Sequence, residues 1–256
     1  MISANTLFHF TSSIKNLQNI LTNNFSPRYC LEYFDYVDKF EEYLALPMVC
    51  FCDIPLSQTI EHIDKYGSYA IGLKKEWAIL NAITPVLYLH NDSQTRKLIN
   101  SASNKLLKLD KLETVIKRHV SARGTMDAFG LFFFCKKYNG NIWRNGKFKK
   151  NITFYNEREW RYIPNIDELL KINHGLFISK KEYDDFDKRK SHNESLSSIK
   201  INFTPKDIKY VIIKKESERL KITKMINKIK GNLYSPDELK VLSSKIISVE
   251  QIKEDF

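Results

Sequence analysis

The chain has 256 residues, 43% of them hydrophobic and 28% charged, with 8 Gly, 7 Pro and 4 Cys. That mix excludes a disordered, collagen-like or disulfide-scaffolded chain and leaves enough apolar surface for a sizeable core. Lys and Arg outnumber Asp and Glu by 41 to 30, a net charge of +11. The excess is uneven: residues 1–128 hold 14 basic and 13 acidic side chains, residues 129–256 hold 27 and 17. A basic half attracts nucleic acid, an anionic cofactor or an acidic partner protein, although scattered lysines also mark an ordinary solvated surface. No apolar run approaches the roughly 18 residues of a membrane span. The N-terminus lacks the basic and apolar regions of a signal peptide. The expectation is a cytoplasmic protein with reduced thiols and no membrane partner.

In chain order, Leu7-Phe8-His9-Phe10 reads as a buried strand. Capping hydroxyls follow, and Ile14, Leu17, Ile20 and Leu21 set an amphipathic helix over 13–23. Residues 25–46, rich in Tyr and Phe without a clean period, read as a long loop with a helical turn. Pro47 to Asp53 is a strand candidate, 57–66 a short helix, 69–73 a strand, 74–80 a helical turn and 85–89 a further strand. The pattern from Ser93 to Val120 is helical. Phe129 to Tyr138 is a buried helix or strand, and Asn139-Gly140-Asn141 and Asn145-Gly146 are turn signals. Residues 152–163 alternate with period two and read as one strand, with Tyr155, Glu157, Glu159 and Arg161 on one face. Residues 180–198, charged and Ser-rich, read as an exposed insertion or mobile loop. Ile208 to Lys214 is a strand and 216–230 a basic helix. Ser235-Pro236-Asp237-Glu238 starts another helix, and 246–252 reads as a last strand. The fold class is α+β, with one domain over 1–215 and basic C-terminal helices and a last strand over 216–256 packed on it.

Two carboxylates at Glu157 and Glu159 invite a catalytic reading. A carboxylate beneath a ribose can hold a hydroxyl and stabilise an oxocarbenium-like transition state. The alternative is an exposed strand face balanced by Arg158 and Arg161. His9 in an apolar strand is either a hydrogen-bonded core residue or a ribose-binding one. Tyr66 and Tyr69 flank Gly67, where a small residue lets a ring approach closely. Cys50-Phe51-Cys52 is poor zinc spacing, so the thiols are expected to be buried and metal-free. The chain has no P-loop and no dinucleotide-type Gly loop, which argues against kinases, NTPases and Rossmann dehydrogenases.

Taken together, Leu7-Phe8-His9-Phe10-Thr11-Ser12, Asn16 to Leu21, Pro47-Met48-Val49-Cys50-Phe51-Cys52-Asp53-Ile54-Pro55-Leu56-Ser57, His62 to Gly67, Tyr69 to Leu73, Pro85 to Tyr88 and Asn156 to Tyr162 resemble the AbiGi family over roughly residues 5–215. That resemblance implies abortive phage infection, an antitoxin label and a partner protein, the cognate toxin of the same system. The order of a His-bearing strand, a Tyr and a late Glu-bearing strand is also similar to the ADP-ribosyltransferase fold. This second likeness implies a split mixed or antiparallel β-core with flanking helices. It implies NAD as substrate, held by His9, Phe10, Thr11, Tyr66 and Tyr69. It gives His9 a ribose-binding role in catalysis, Glu159 the catalytic role and Glu157 the orienting one, with a nucleic acid or protein as acceptor. Phe10 stands where that fold often has Gly, which narrows the nicotinamide site. Two functions follow as expectations: an NAD-dependent ADP-ribosyltransferase-like enzyme, or a non-catalytic antitoxin that neutralises its partner. A third, direct nucleic-acid binding, would use the Lys-rich helix at 216–230.

Overall fold

The computed structural model describes residues 4–36, 42–116, 130–144 and 147–255. Strand β1 (Thr6–Thr11) buries Leu7 and Phe8. Helix α1 (Ile14–Asn23) follows because Ser13 caps it: its hydroxyl accepts from the Asn16 N–H at 3.2 Å. Leu17 and Leu21, one turn apart, are its buried stripe. The helix stops at Asn24, whose φ of 61° is positive and breaks the helical path.

β2 (Arg28–Tyr33) and β3 (Tyr43–Cys52) pair antiparallel, Arg28 opposite Met48 through Tyr33 opposite Tyr43. The loop expected over 25–46 is therefore largely a strand pair. Tyr29, Leu31 and Tyr33 carry the period of two, and residues 37–41 lie outside the described residues. Helix α2 (Ile60–Tyr66), strand β4 (Tyr69–Lys74) and helix α3 (Lys75–Leu80) come next. β5 (Thr84–Pro85) and β6 (Leu87–Leu89) then divide the strand expected at 85–89 between two sheets. Helix α4 is described over Gln94–Ile116 of the helical segment expected to Val120, and 117–120 lie outside the described residues. β7 (Cys135–Lys137) pairs parallel with β6. β8 (Asn139–Arg144) and β9 (Lys147–Thr153) form an antiparallel pair flanking Asn145-Gly146, which lie outside the described residues.

The strand expected over 152–163 is interrupted. A 3₁₀ turn occupies Phe154–Glu157, Arg158 takes a left-handed φ of 43°, and β10 (Glu159–Tyr162) starts afresh. Helix α5 (Ile166–Leu170) and strand β11 (Ile178–Ser179) follow. The loop expected at 180–198 is instead helical. α6 (Lys180–Asp184) has a capping box of Ser179 with Glu182, and Asp185 caps α7 (Phe186–Ser195). Neither helix buries a residue fully, so local capping rather than an apolar stripe defines them. β12 (Ile208–Ile213), α8 (Arg219–Lys230) and α9 (Pro236–Ser244) match their expected places, the last with a Ser235–Glu238 capping box. The final segment is a short strand, β13 (Ile246–Ser248), that turns into helix α10 (Val249–Asp255).

The main sheet runs β13-β12-β4-β1-β3-β10-β5, with β2 and β11 also on β3. It is antiparallel throughout except for the β12–β13 pair. The α+β class with a mixed sheet is thus observed. β1 follows β4 along its whole length but meets β3 at Phe8 opposite Cys52, so the sheet forks there. Residues directly opposite in an antiparallel pair share a face. Phe8, Cys52 and Glu159 therefore lie on one face, and His9 lies on the other with Ile71. The first face is covered by α2 and α10, whose Ile63, Val249 and Ile252 pack with Phe8, Ala70 and Ile212. The second carries the larger core, where Leu17, Leu21, Ile222, Ile226, Leu239 and Leu242 meet Leu7, Ile71, Leu73 and Val211.

Gly67 has a φ of 118°, and a Cβ there would lie 2.4 Å from both the Thr11 carbonyl oxygen and the Ser12 Cα. Gly67→Ala is therefore expected to cost more than about 1 kcal/mol of stability, read as a lowered midpoint in urea unfolding. Gly67→Asn, which tolerates positive φ but still carries a Cβ, should rescue little because the clash remains.

Candidate functional site

Glu159 and Arg161 sit on one face of β10 at strand spacing, opposite Cys52 and Cys50. The Arg161 side chain is fully buried. Its Nε and Nη2 donate to the two Glu159 oxygens, its Nη1 donates to the Phe133 carbonyl at 2.9 Å, and Nη2 also reaches Glu32 Oε2 at 2.8 Å. Lys136 on β7 completes the group: its ammonium donates to Glu157 Oε2 at 2.9 Å and to Glu159 Oε2 at 2.6 Å. Tyr66, the last residue of α2, donates its hydroxyl to Glu157 Oε1. The Glu159 backbone N–H donates to the Tyr88 hydroxyl at 2.9 Å. Glu157 and Glu159 are both buried.

The electrostatics follow from these contacts. Burial works to raise the Glu159 carboxyl, but Arg161 and Lys136 outweigh it and hold it far below the usual carboxylate range. Glu157 is likewise held below its usual value, Lys136 and the Tyr66 hydroxyl overcoming burial. Burial would lower Lys136, yet Glu159, Glu32 and Glu157 raise it, so it stays charged. Three carboxylates thus face two cations in a buried network. Burial and the two neighbouring glutamates push the Cys52 thiol up, while the Cys30 thiol and burial push Cys50 up, which makes both poor nucleophiles. Among the described residues, no group of three His, Cys, Asp or Glu could hold a metal ion.

The residues singled out from sequence do not converge. Glu157, Glu159 and Tyr66 come together. His9 points to the opposite face, where its ring lies 5.1 Å from Phe25 and 5.7 Å from Phe51, and its Nδ1 donates to the Cys50 carbonyl at 2.8 Å. Thr11 and Tyr69, directly opposite one another, share the His9 face. The Tyr69 hydroxyl is spent on Glu218 at 2.8 Å, with its pKa pushed up to about 12 by burial and that bond. Phe10 lies on the Glu159 face against His62. The five residues expected to hold NAD are therefore divided between two faces of one sheet. Carboxylates at 157 and 159 do meet, but through a 3₁₀ turn and not as neighbours on one strand. Neither belongs to an exposed strand face. Lys136 and Glu32 were missed; the one legible signal was a lysine pair closing the apolar run at 131–135.

Burial lowers the His9 imidazole below its usual 6.5, against the raising effect of its bond to Cys50, and burial and His192 lower His174. A group with a lowered folded pKa that is neutral when folded contributes fully above its unfolded value and loses that contribution as pH falls through the folded one. Thermal stability is thus expected to fall as the pH drops below about 6.5. Melting curves of wild type and His9→Gln across that range should show a smaller fall for the variant.

Comparison with known proteins places the chain in a family. Residues 23–214 match the family model described as "Putative abortive phage resistance protein AbiGi, antitoxin". The abortive phage resistance protein AbiGi of Lactococcus lactis subsp. cremoris is 32% identical over 263 residues, covering 91% of this chain and 99% of that protein. No solved structure matches the chain. Among the described residues no helix is long and apolar enough to cross a membrane. The family match covers most of the chain and the relative spans nearly all of it; the chain belongs to the AbiGi family.

Proposed function

We propose that this chain is a phage-defence antitoxin that acts by binding and neutralising a partner protein of the same abortive-infection system. The observation that carries the reading is the state of Glu159. It is buried, doubly engaged by Arg161 and by Lys136, and placed on the sheet face away from His9. A carboxylate spent in this way clamps β10 to β7 and, through Arg161, to β2. The family description as an antitoxin supports the same reading.

The binding face is offered by α8. Ile222 and Ile226 bury its inner side, while Lys221, Lys224 and Lys228 are exposed, at spacings that place them along one outer face. Such a stripe suits an acidic surface on the partner. Co-expression with the partner tests this: wild type should restore growth and co-purify with it, and failure of wild type to bind the partner would count against the reading.

A second reading, ADP-ribosyl transfer from NAD to a nucleic acid or protein, is favoured by one observation, the meeting of Tyr66 with Glu157. It requires NAD turnover that depends on Glu159.

A further inference from the structure

Past Phe8 and Cys52 the main sheet forks, β1 staying with β4 and the first half of β3 staying with β2. A cavity of about 930 Å³ opens in that fork. His9 on one prong and Met48 and Val49 on the other form its floor, and α1 and α7 contribute its walls. This volume is of the size that small-molecule sites occupy.

The lining is strongly cationic. Arg28, Arg189, Lys190 and Lys200 line it against one carboxylate, Glu194, which lies 3.9 Å from Lys190. A cleft of one charge sign between low-dielectric walls concentrates the opposite charge. Phe186, 66% exposed, lies on the same wall with the Arg189 guanidinium 5.8 Å from its ring centroid, which offers aromatic surface beside a cation.

His9 adds an acceptor to the lining. His9 donates Nδ1–H to the Cys50 carbonyl, so its neutral ring keeps Nε2 as an acceptor. A ligand matching these groups has a phosphate for the cations, a flat ring for Phe186, and a hydroxyl or amine donor for His9. We infer that the fork cleft binds a nucleoside phosphate, either as a free nucleotide or as the end of a single-stranded nucleic acid. The α8 face does not line this cleft, so the inference stands apart from the neutralisation reading.

The test is titration of the full chain with AMP, ATP, a 5′-phosphorylated RNA hexamer and inorganic phosphate, at low and high salt. Nucleotide or hexamer binding is expected, weakening with salt, and weakened about tenfold or more by Arg28→Ala combined with Lys200→Ala. Both residues are exposed, so the fold should persist. Lys190→Glu should have the same effect, and Lys253→Ala, on exposed α10 surface, none. Tighter binding of AMP and ATP supports the free nucleotide, and tighter binding of the hexamer supports the nucleic-acid end. Binding of phosphate alone as tightly as AMP, no binding of any probe, or variants that bind like wild type would overturn the inference.

Discussion

Replacing Arg161 with methionine is expected to cost about 3–5 kcal/mol of folding free energy. Arg161 is fully buried and satisfies Glu159, Glu32 and the Phe133 carbonyl at once. Methionine keeps much of the volume but leaves two carboxylates facing each other with Lys136 as their remaining nearby cation. Glu157→Gln should cost far less. It leaves two carboxylates for two cations; the amide oxygen can still accept from Lys136, and the amide N–H can donate to the Tyr66 hydroxyl, which turns to accept. Urea unfolding of the two variants checks the ordering, and equal losses would show that the network is not a shared charge balance. The same network sets an acid limit. The folded Glu159 and Glu157 carboxyls lie below the usual 4.5. Their contribution is present above that value and is lost as pH falls through the folded values. Glu157→Gln should therefore flatten the acid limb of the stability profile.

The second large effect concerns the partner. Simultaneous Lys221→Glu, Lys224→Glu and Lys228→Glu is expected to abolish protection in co-expressing cells and to slow association with the partner by about tenfold or more. These side chains are exposed on α8, while Ile222 and Ile226 hold the helix to the core, so the fold should survive. The wild-type rate should fall with added salt and the variant rate should not. Unchanged binding by a folded triple variant would move the interface elsewhere on the molecule.

What could be read from sequence was local. Ser13 before Ile14, and Ser235-Pro236 with Glu238 behind it, announce helices α1 and α9 through groups that bond within one turn. The apolar runs of β1, β4 and β12 announce strands buried in the centre of a sheet. Strand β2 was hidden because Arg28, Cys30 and Glu32 alternate with tyrosines and a leucine that read as aromatic crowding. The break at 154–158 depends on Arg158 in a left-handed conformation, with no Gly or Asn at that position to signal it. Helices α6 and α7 lack an apolar stripe, so hydropathy gave no sign of them. The Glu157–Glu159 pair was visible as a pair, but its partners were not. Glu32 reaches Arg161 across 129 residues and Lys136 reaches Glu159 across 23, contacts that strand order alone creates. His9 was legible as a residue of note, and its face was not, because that depends on the register with β3 and β4.

If this chain works by binding, Glu159 is a clamp and turns over nothing. The most direct measurement is the incubation of purified wild-type protein and its partner with labelled NAD and candidate nucleic-acid and protein acceptors, beside Glu159→Gln. No transfer of label above that seen with the variant is expected. Label transferred by wild type and lost in a folded Glu159→Gln would contradict the binding role.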